Sequence, residues 1–154
     1  VQEVGKRIPA TSTAIGLALL ARKTDDEVME LAGGSFARIE ASRLAARLNE
    51  IRRARTAAIS SAIIPGIAAI GAAVGEPAGG EALGFALSYP VSATDEKLRA
   101  RMAERLRAEG MRIGERLGDP AWVGLDPAAS IIDMRSLRPP RRPGRAPRAR
   151  KAGS

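Results

Sequence analysis

Large and small side chains alternate along residues 82–89, and this is the clearest local pattern in the sequence. The large positions are Leu83, Phe85, Leu87 and Tyr89, and the small positions are Ala82, Gly84, Ala86 and Ser88. A period of two predicts a β-strand with one bulky face and one nearly bare face. The uncharged run over residues 56–75 predicts two more strands, because Pro65 and Gly66 divide it with a turn.

Two short helices are predicted before these strands. Ser12 or Thr13 is the N-cap of the first helix, which runs to about Ala21. The second helix begins with a capping box at Thr24–Glu27, and the glycine pair at 33–34 ends it.

Two longer helices follow from apolar positions that recur every three to four residues. The first spans about residues 40–54, and its apolar stripe consists of Ala41, Leu44, Ala45, Leu48 and Ile51. The second opens at Thr94 as its N-cap and ends at Gly118 in the left-handed conformation, and its charged residues, Arg107 among them, are expected to face solvent. Its apolar seam consists of Leu98, Met102, Leu106, Ile113 and Leu117. Together these elements predict an α+β fold with helices packed on an antiparallel sheet.

The uncharged run also admits a different interpretation, a membrane-spanning helix. Pro65 and Gly66 interrupt it, however, and most of the run is Ala, Ser and Gly. No aromatic or basic belt flanks both of its ends. We therefore favour two buried strands and expect no membrane partner.

The composition limits the chemistry available to the chain. It contains no Cys and no His, which excludes disulfides, thiolate nucleophiles, imidazole bases and zinc sites built from nitrogen and sulfur ligands. Neither a GxGxxG motif nor a P-loop is present. We therefore expect no enzymatic activity, no catalytic residues, no metal and no cofactor.

The net charge of +8 is confined to one end of the chain. Residues 1–134 carry 17 acidic and 17 basic side chains, whereas residues 135–154 carry seven Arg, one Lys and no acid. This Arg/Pro-rich tail is predicted to be disordered, because it has too little apolar surface to fold. The sequence thus divides into a domain over 1–118, a docking strap over 119–134 and a tail over 135–154.

The start of the chain bears on the protein's context. It shows no secretory signal pattern, so a cytoplasmic location is the default expectation. The first residue is Val rather than Met, and we expect a fragment or a processed form of a longer protein.

The bare sheet face has two interpretations that the pattern alone leaves open. Small residues let a helix approach closely, which is ordinary packing. They can also leave a hollow for a small molecule beneath the helix that contains Ala14, with the hydroxyl groups of Ser12, Thr13 and Ser88 to orient it.

The chain contains, in this order, the segments RIPATSTAIGLALLA, LNEIRRA, PGIAAIGAAV and ALGFALSYP, followed by a helix that ends at RLGDPAW. In order and spacing, from about Gly5 to Trp122, they resemble the effector-binding domain of the IclR family of bacterial transcriptional regulators. The resemblance implies a GAF-like domain with a curved antiparallel sheet flanked by helices. It is N-terminally incomplete here, because the family domain's opening strands are absent from the sequence.

The resemblance also implies a function and partners. Such a domain binds a small organic acid or aromatic effector, assembles as a homodimer or homotetramer, and passes its state to a winged-helix domain that binds DNA. That DNA-binding domain is absent from this chain. By position, the family's pocket maps to Ala14, Ile15, Ile59, Ala69, Ala86 and Ser88.

Two departures from the family pattern bear on this expectation. Ser88 is the one polar residue among the strand positions of the pocket, so the effector is more apolar or aromatic, or the domain has lost its ligand. Arg55 stands where the family usually has Gly between the long helix and the first strand, so this turn has to form by other means.

A second hypothesis, from a different functional class, is nucleic-acid association through the basic tail. Its eight positive charges could neutralise phosphates, but no aromatic residue lies between the arginines for base stacking. Such attraction would be weak and independent of nucleotide sequence. Small-molecule sensing is our leading expectation, and an enzyme is the least favoured.

Overall fold

The computed structural model of the chain describes residues 5, 7–31, 38–61, 64–78 and 80–125. The basic tail, residues 126–134 of the docking strap and the glycine pair at 33–34 lie outside the described residues. Nucleic-acid association through the tail therefore stays a prediction.

Four α-helices and three β-strands form within the described residues. The helices are α1 (Ala14–Leu20), α2 (Asp25–Leu31), α3 (Arg38–Ala54) and α4 (Glu96–Leu117), and the strands are β1 (Ala57–Ser60), β2 (Ile67–Gly75) and β3 (Ala82–Pro90). The strands form one antiparallel sheet in the order β1-β2-β3. The expected α+β class is confirmed.

The uncharged run forms β1 and β2 rather than a spanning helix. Gly66 turns the chain between them with a φ of 81°, a conformation that glycine adopts without steric cost. None of the helices in the described part of the chain is both long and apolar enough to cross a membrane.

Helix α1 lies on the bare face of the sheet, and glycines let it come close. A Cβ atom built at Gly71 would lie 2.8 Å from the backbone carbonyl carbon of Ala14, and one built at Gly84 would lie 2.5 Å from Cγ2 of Ile15. Real Cβ atoms essentially never approach other atoms so closely. At Gly71 and Gly84, the small residues therefore allow the helix to pack closely, which is the first of the two interpretations of the bare face.

Apolar residues of the first three helices pack against β1 and β2 on this side of the sheet. The cluster consists of Leu17, Ala18, Val28, Leu48, Ile51, Ala57 and Ala73. Leu48 and Ile51 come from the stripe predicted on α3, so its periodicity gave the orientation of that helix correctly. Burial of each large aliphatic side chain stabilises the fold by about 1.5–3 kcal/mol.

Helix α4 packs on the opposite, bulky face, but its buried side differs from the predicted seam. Leu98 and Leu117 are 44% and 45% exposed, whereas Arg107, expected to face solvent, is only 8% exposed. Gly110 and Gly114 lie against the ring of Trp122, which comes from the segment after the helix. Because the indole occupies this space, α4 turns glycines rather than its terminal leucines toward the core. The middle of the seam, Met102, Leu106 and Ile113, does reach the core.

Three of the predicted helix caps form as expected. Oγ1 of Thr13 accepts the N–H of Gly16 at 3.0 Å. The capping box is reciprocal, since Glu27 accepts the N–H of Thr24 at 2.7 Å and Thr24 accepts the N–H of Glu27 at 3.2 Å. Gly118 ends α4 with a φ of 70°.

The N-cap of α4 is Asp95, and the prediction of Thr94 was wrong. Oδ1 of Asp95 accepts the N–H of Leu98 at 2.7 Å, whereas the hydroxyl of Thr94 donates to the carbonyl of Pro90 at 2.8 Å. A short 3-10 turn over 91–93 leads out of β3 and moves the start of the helix by one residue.

We expect Gly71→Ala to destabilise the fold, because its methyl group would meet the backbone of α1. The expected loss in free energy of unfolding is about 1–3 kcal/mol, measured by urea unfolding of the full chain. Gly80→Ala is the matched control, since its methyl group would meet only the flexible end of the Glu76 side chain. Its stability should stay within about 0.5 kcal/mol of the wild type or rise slightly. Equal losses in both variants would contradict the close packing of α1.

Candidate functional site

The strand register brings the predicted pocket residues of the sheet into two neighbouring rows on the face that α1 packs against. The first row consists of Ile59, Ala69 and Ser88. The second row consists of Ala57, Gly71 and Ala86. We call the first the open row, because it remains accessible, and the second the closed row, because α1 covers it.

Helix α1 seals the closed row. Ala14 rests on Gly71 and is 2% exposed, and Ala57 is fully buried. The hollow expected directly beneath Ala14 is therefore filled, because a residue without a side chain lets the helix backbone occupy that space. Ala14 contributes to packing, and Ala86 is half-buried at the β3 end of the same row.

The open row lies beyond the first turn of α1. The helix starts above Gly71 and runs toward Gly75, so it leads away from Ala69. Ile59 and Ala69 are half-buried, and Ser88 is exposed. These three predicted residues are therefore side by side on an accessible part of the sheet.

Ile15, like Ala14 and Ala86, lies away from the open row. Its Cγ2 atom lies over Gly84, which is four residues along β3 from Ser88. At 39% exposure, its side chain covers the sheet beside α1 rather than facing Ile59 or Ala69.

The predicted hydroxyl groups before Ala14 already take part in local structure. Ser12 donates its hydroxyl hydrogen to the carbonyl of Pro9 at 2.7 Å, and Thr13 accepts the N–H of Gly16 at 3.0 Å. Each hydroxyl keeps further capacity, because the Ser12 oxygen can still accept and the Thr13 hydroxyl can still donate.

A buried ion pair at the other end of α1 is the polar feature that sequence reasoning missed. Asp119 has no solvent exposure. Its Oδ2 accepts from Arg22 Nη1 at 2.7 Å and from the N–H of Gly75 at 2.8 Å, and its Oδ1 accepts from Arg22 Nη2 at 3.2 Å and from the N–H of Ala121 at 3.0 Å. These bonds use the roughly four lone-pair positions of a carboxylate. In the sequence, this segment was marked by the family segment RLGDPAW and by the predicted docking strap, neither of which indicated an ion pair with Arg22.

Asp119 and Trp122 take the place of a strand at the edge of β2. Strand β1 pairs with β2 only as far as Gly71. Beyond that point Asp119 accepts from the N–H of Gly75, and Nε1 of Trp122 donates to the carbonyl of Ala73 at 3.0 Å. Unpaired backbone groups in the interior are unfavourable, so these side chains complete the sheet. The start of the segment predicted as a docking strap thus packs against the domain predicted over residues 1–118, and the division of the chain at residue 118 stays a prediction.

The surroundings of Asp119 favour its charged form. Burial raises its pKa, but the hydrogen bonds from Arg22, Ala121 and Gly75, together with the charge of Arg22, lower it further than burial raises it. The pKa of Asp119 thus lies below its usual value, and the carboxylate is ionised at neutral pH.

Arg55 makes the turn from α3 to β1 in the left-handed conformation, with a φ of 59°. This conformation costs a residue with a side chain about 1 kcal/mol or more. The turn between α3 and β1 thus forms without the family's Gly, because Arg55 adopts the backbone conformation that Gly adopts easily.

Comparison with known proteins places this arrangement in a family. Residues 1–114 match the family described as bacterial transcriptional regulator IclR C-terminal. The chain belongs to this family. The recognition from sequence segments is therefore confirmed, whereas Asp119 and Trp122 lie beyond the matched residues.

Solved structures of IclR-type proteins are similar to this chain. The Agobacterium tumefaciens repressor BlcR is 29% identical, with a TM-score of 0.61 over 76% of this chain and 51% of BlcR. The C-terminal domain of the E. coli transcriptional regulator KdgR is 27% identical, with a TM-score of 0.61 over 74% of each chain. Pseudomonas aeruginosa HmgR is 28% identical, with a TM-score of 0.60 over 77% of this chain and 49% of HmgR.

The IclR-family chain described here spans about half the length of BlcR and HmgR. No curated protein matches it in sequence. BlcR is described as a repressor and KdgR as a transcriptional regulator, the class of protein that the family resemblance implied.

We expect Asp119→Asn to destabilise the fold by about 3 kcal/mol. Arg22 would lose its counter-charge, and an amide cannot accept all four hydrogen bonds. Urea unfolding of the full chain at neutral pH measures the loss. Glu109→Gln is the control, because Glu109 forms its ion pairs with Arg105 and Arg112 on the surface of α4, where such pairs contribute at most about 1 kcal/mol. Equal losses would contradict a structural role for the buried pair.

The stabilisation by Asp119 is expected to disappear at low pH. Its pKa is lower in the folded chain than its unperturbed value of 3.8, so the stabilisation is complete above that value and is lost as the pH falls through the folded pKa. The difference in free energy of unfolding between the wild type and Asp119→Asn should be constant at about pH 5–7 and shrink below about pH 4. A difference that persists unchanged to about pH 2 would contradict the lowered pKa.

Proposed function

We propose that this chain is the part of an IclR-type transcriptional regulator that senses a small molecule. The open row of Ile59, Ala69 and Ser88 supports the proposal, because three predicted pocket residues lie side by side and accessible next to a row that α1 seals. The start of α1, which covers the closed row, borders this surface on one side. Family membership supports the regulator part of the proposal.

The chemistry of the open row favours a ligand with an apolar or aromatic body and one polar group. Ile59 and Ala69 offer aliphatic surface, and removing that surface from water is favourable when an apolar ring packs on it. Ser88 offers a hydroxyl that can both donate and accept. A small aromatic acid or another small organic acid with an apolar body has this combination of groups.

The remaining parts of the proposal concern the whole regulator. We assign DNA binding to a winged-helix domain of the whole regulator, and self-association as a homodimer or homotetramer to the family's mode of assembly. The coverage of about half of BlcR agrees with a regulator built from a sensing part and a DNA-binding part.

A thermal-shift screen of small carboxylic and aromatic metabolites against the full chain tests the sensing proposal. A ligand at about ten times its Kd stabilises the folded state by roughly 1.4 kcal/mol, which raises the melting temperature measurably. We expect Ala69→Leu to weaken a hit by about tenfold or more, since its side chain would fill the open row.

Ala82→Leu is the matched control for this experiment. Residue 82 is exposed near the far end of β3, so the same change there should leave binding as it is. A hit that binds Ala69→Leu as tightly as it binds Ala82→Leu, or a complete screen without a hit, would contradict sensing at the open row.

A further inference from the structure

A cleft with a basic wall lies at the opposite end of α1 from the open row. Its volume is about 820 Å³, within the range of small-molecule pockets. The ends of α1 and α3, the start of α2 and the segment from Asp119 to Trp122 form its wall. Five basic and three acidic side chains line it, so the cleft carries a net positive charge.

Two of the lining arginines are already engaged in structural bonds. Arg22 is held by Asp119 through two hydrogen bonds. Arg52 donates to the carbonyls of Ala21 at 3.0 Å and Lys23 at 2.7 Å, and it forms an ion pair with Asp25 at 2.9 Å. Two of the three acidic side chains that line the cleft, Asp25 and Asp119, thus already have cationic partners.

Arg55 differs from both of these arginines. It is half-buried, and its Nε atom is buried without a hydrogen-bond partner among the described residues. Asp119 attracts it electrostatically, yet the oxygens of Asp119 already accept four bonds from other donors. Burial lowers the pKa of Arg55, which reflects the unfavourable loss of water around its charge.

The backbone at Arg55 adds a second unfavourable term. Its φ of 59° would be free of strain for Gly, but it is strained for Arg. A strained residue that lines a cleft, with a buried Nε atom that has no hydrogen-bond partner among the described residues, is a candidate ligand-binding group.

We propose that this cleft binds a small metabolite through an oxyanion, either a carboxylate or a phosphate group, with Arg55 as the principal donor. The planar N–H fork of a guanidinium matches both groups. The aliphatic wall beside it, which includes Ala18 and Ile51, accepts the uncharged part of the ligand. This site is separate from the open row and does not depend on the proposed sensing function.

Titration of the full chain with inorganic phosphate and, separately, with benzoate tests the proposal and distinguishes the two anions. The Nε–Hε signal of Arg55 in NMR spectra reports on the site without any substitution. We expect at least one of the two anions to shift this signal saturably at millimolar concentration. No shift with either anion would overturn the proposal.

Substitutions separate a specific site from general attraction to a basic chain. We expect Arg55→Asn to weaken binding by about tenfold or more, and Arg55→Lys, which keeps the charge but not the fork, to weaken it less. Asn tolerates the left-handed conformation, so the melting temperature of Arg55→Asn should equal or exceed that of the wild type.

Arg101→Gln is the matched control, since it removes the same charge from an exposed position on α4. Binding should be unchanged in this variant, and in Ala69→Leu at the open row. Equal weakening in Arg55→Asn and Arg101→Gln, or no weakening in Arg55→Asn, would overturn the proposal, because the anion would then bind the basic chain without using the cleft.

Discussion

The close contact between the backbone of α1 and the small residues of the sheet determines where the other parts of the molecule lie. Gly71 and Gly84 leave no side chain between helix and sheet, so α1 sits directly on β2 and β3. This contact removes the space beneath Ala14, whereas the row beyond the start of the helix keeps accessible surface. Small residues thus produce close packing in one row and an accessible surface in the next, according to the position of the helix.

The contact between α1 and the sheet also sets the position of the C-terminal end of α1. Because the helix follows β2, it brings Arg22 to Gly75, where Asp119 accepts bonds from both residues. Strand β1 does not reach this part of β2, and side chains of the segment after α4 satisfy its backbone instead. The Arg55 cleft lies at this junction. Helix α1 therefore has an accessible sheet surface at its start and a basic cleft at its end.

Local patterns predicted most of the fold but not the long-range pairing. Strand alternation, the capping box and the α3 stripe follow from neighbours within a few residues, and the structure contains all three. Three of the residues that the family resemblance implied, Ile59, Ala69 and Ser88, share one row of the sheet, and their role in binding stays a prediction. The Asp119–Arg22 pair joins residues 97 positions apart, so no local pattern contains it. The prediction that Arg107 faces solvent was wrong for a similar reason. Trp122, which lies outside the helix, determines which side of α4 is buried.

Among the sheet positions next to the start of α1, those of the open row are accessible and those beneath Ala14 are not. Alanine methyl groups report on both, since Ala69 lies in the open row and Ala57 in the closed row under Ala14. The most direct measurement is the methyl NMR spectrum of the full chain with ¹³C-labelled alanine, with and without a small aromatic acid that stabilises it. The account predicts a saturable shift for Ala69 and unchanged signals for Ala14 and Ala57. Shifts at Ala14 and Ala57 with an unchanged Ala69 would contradict it.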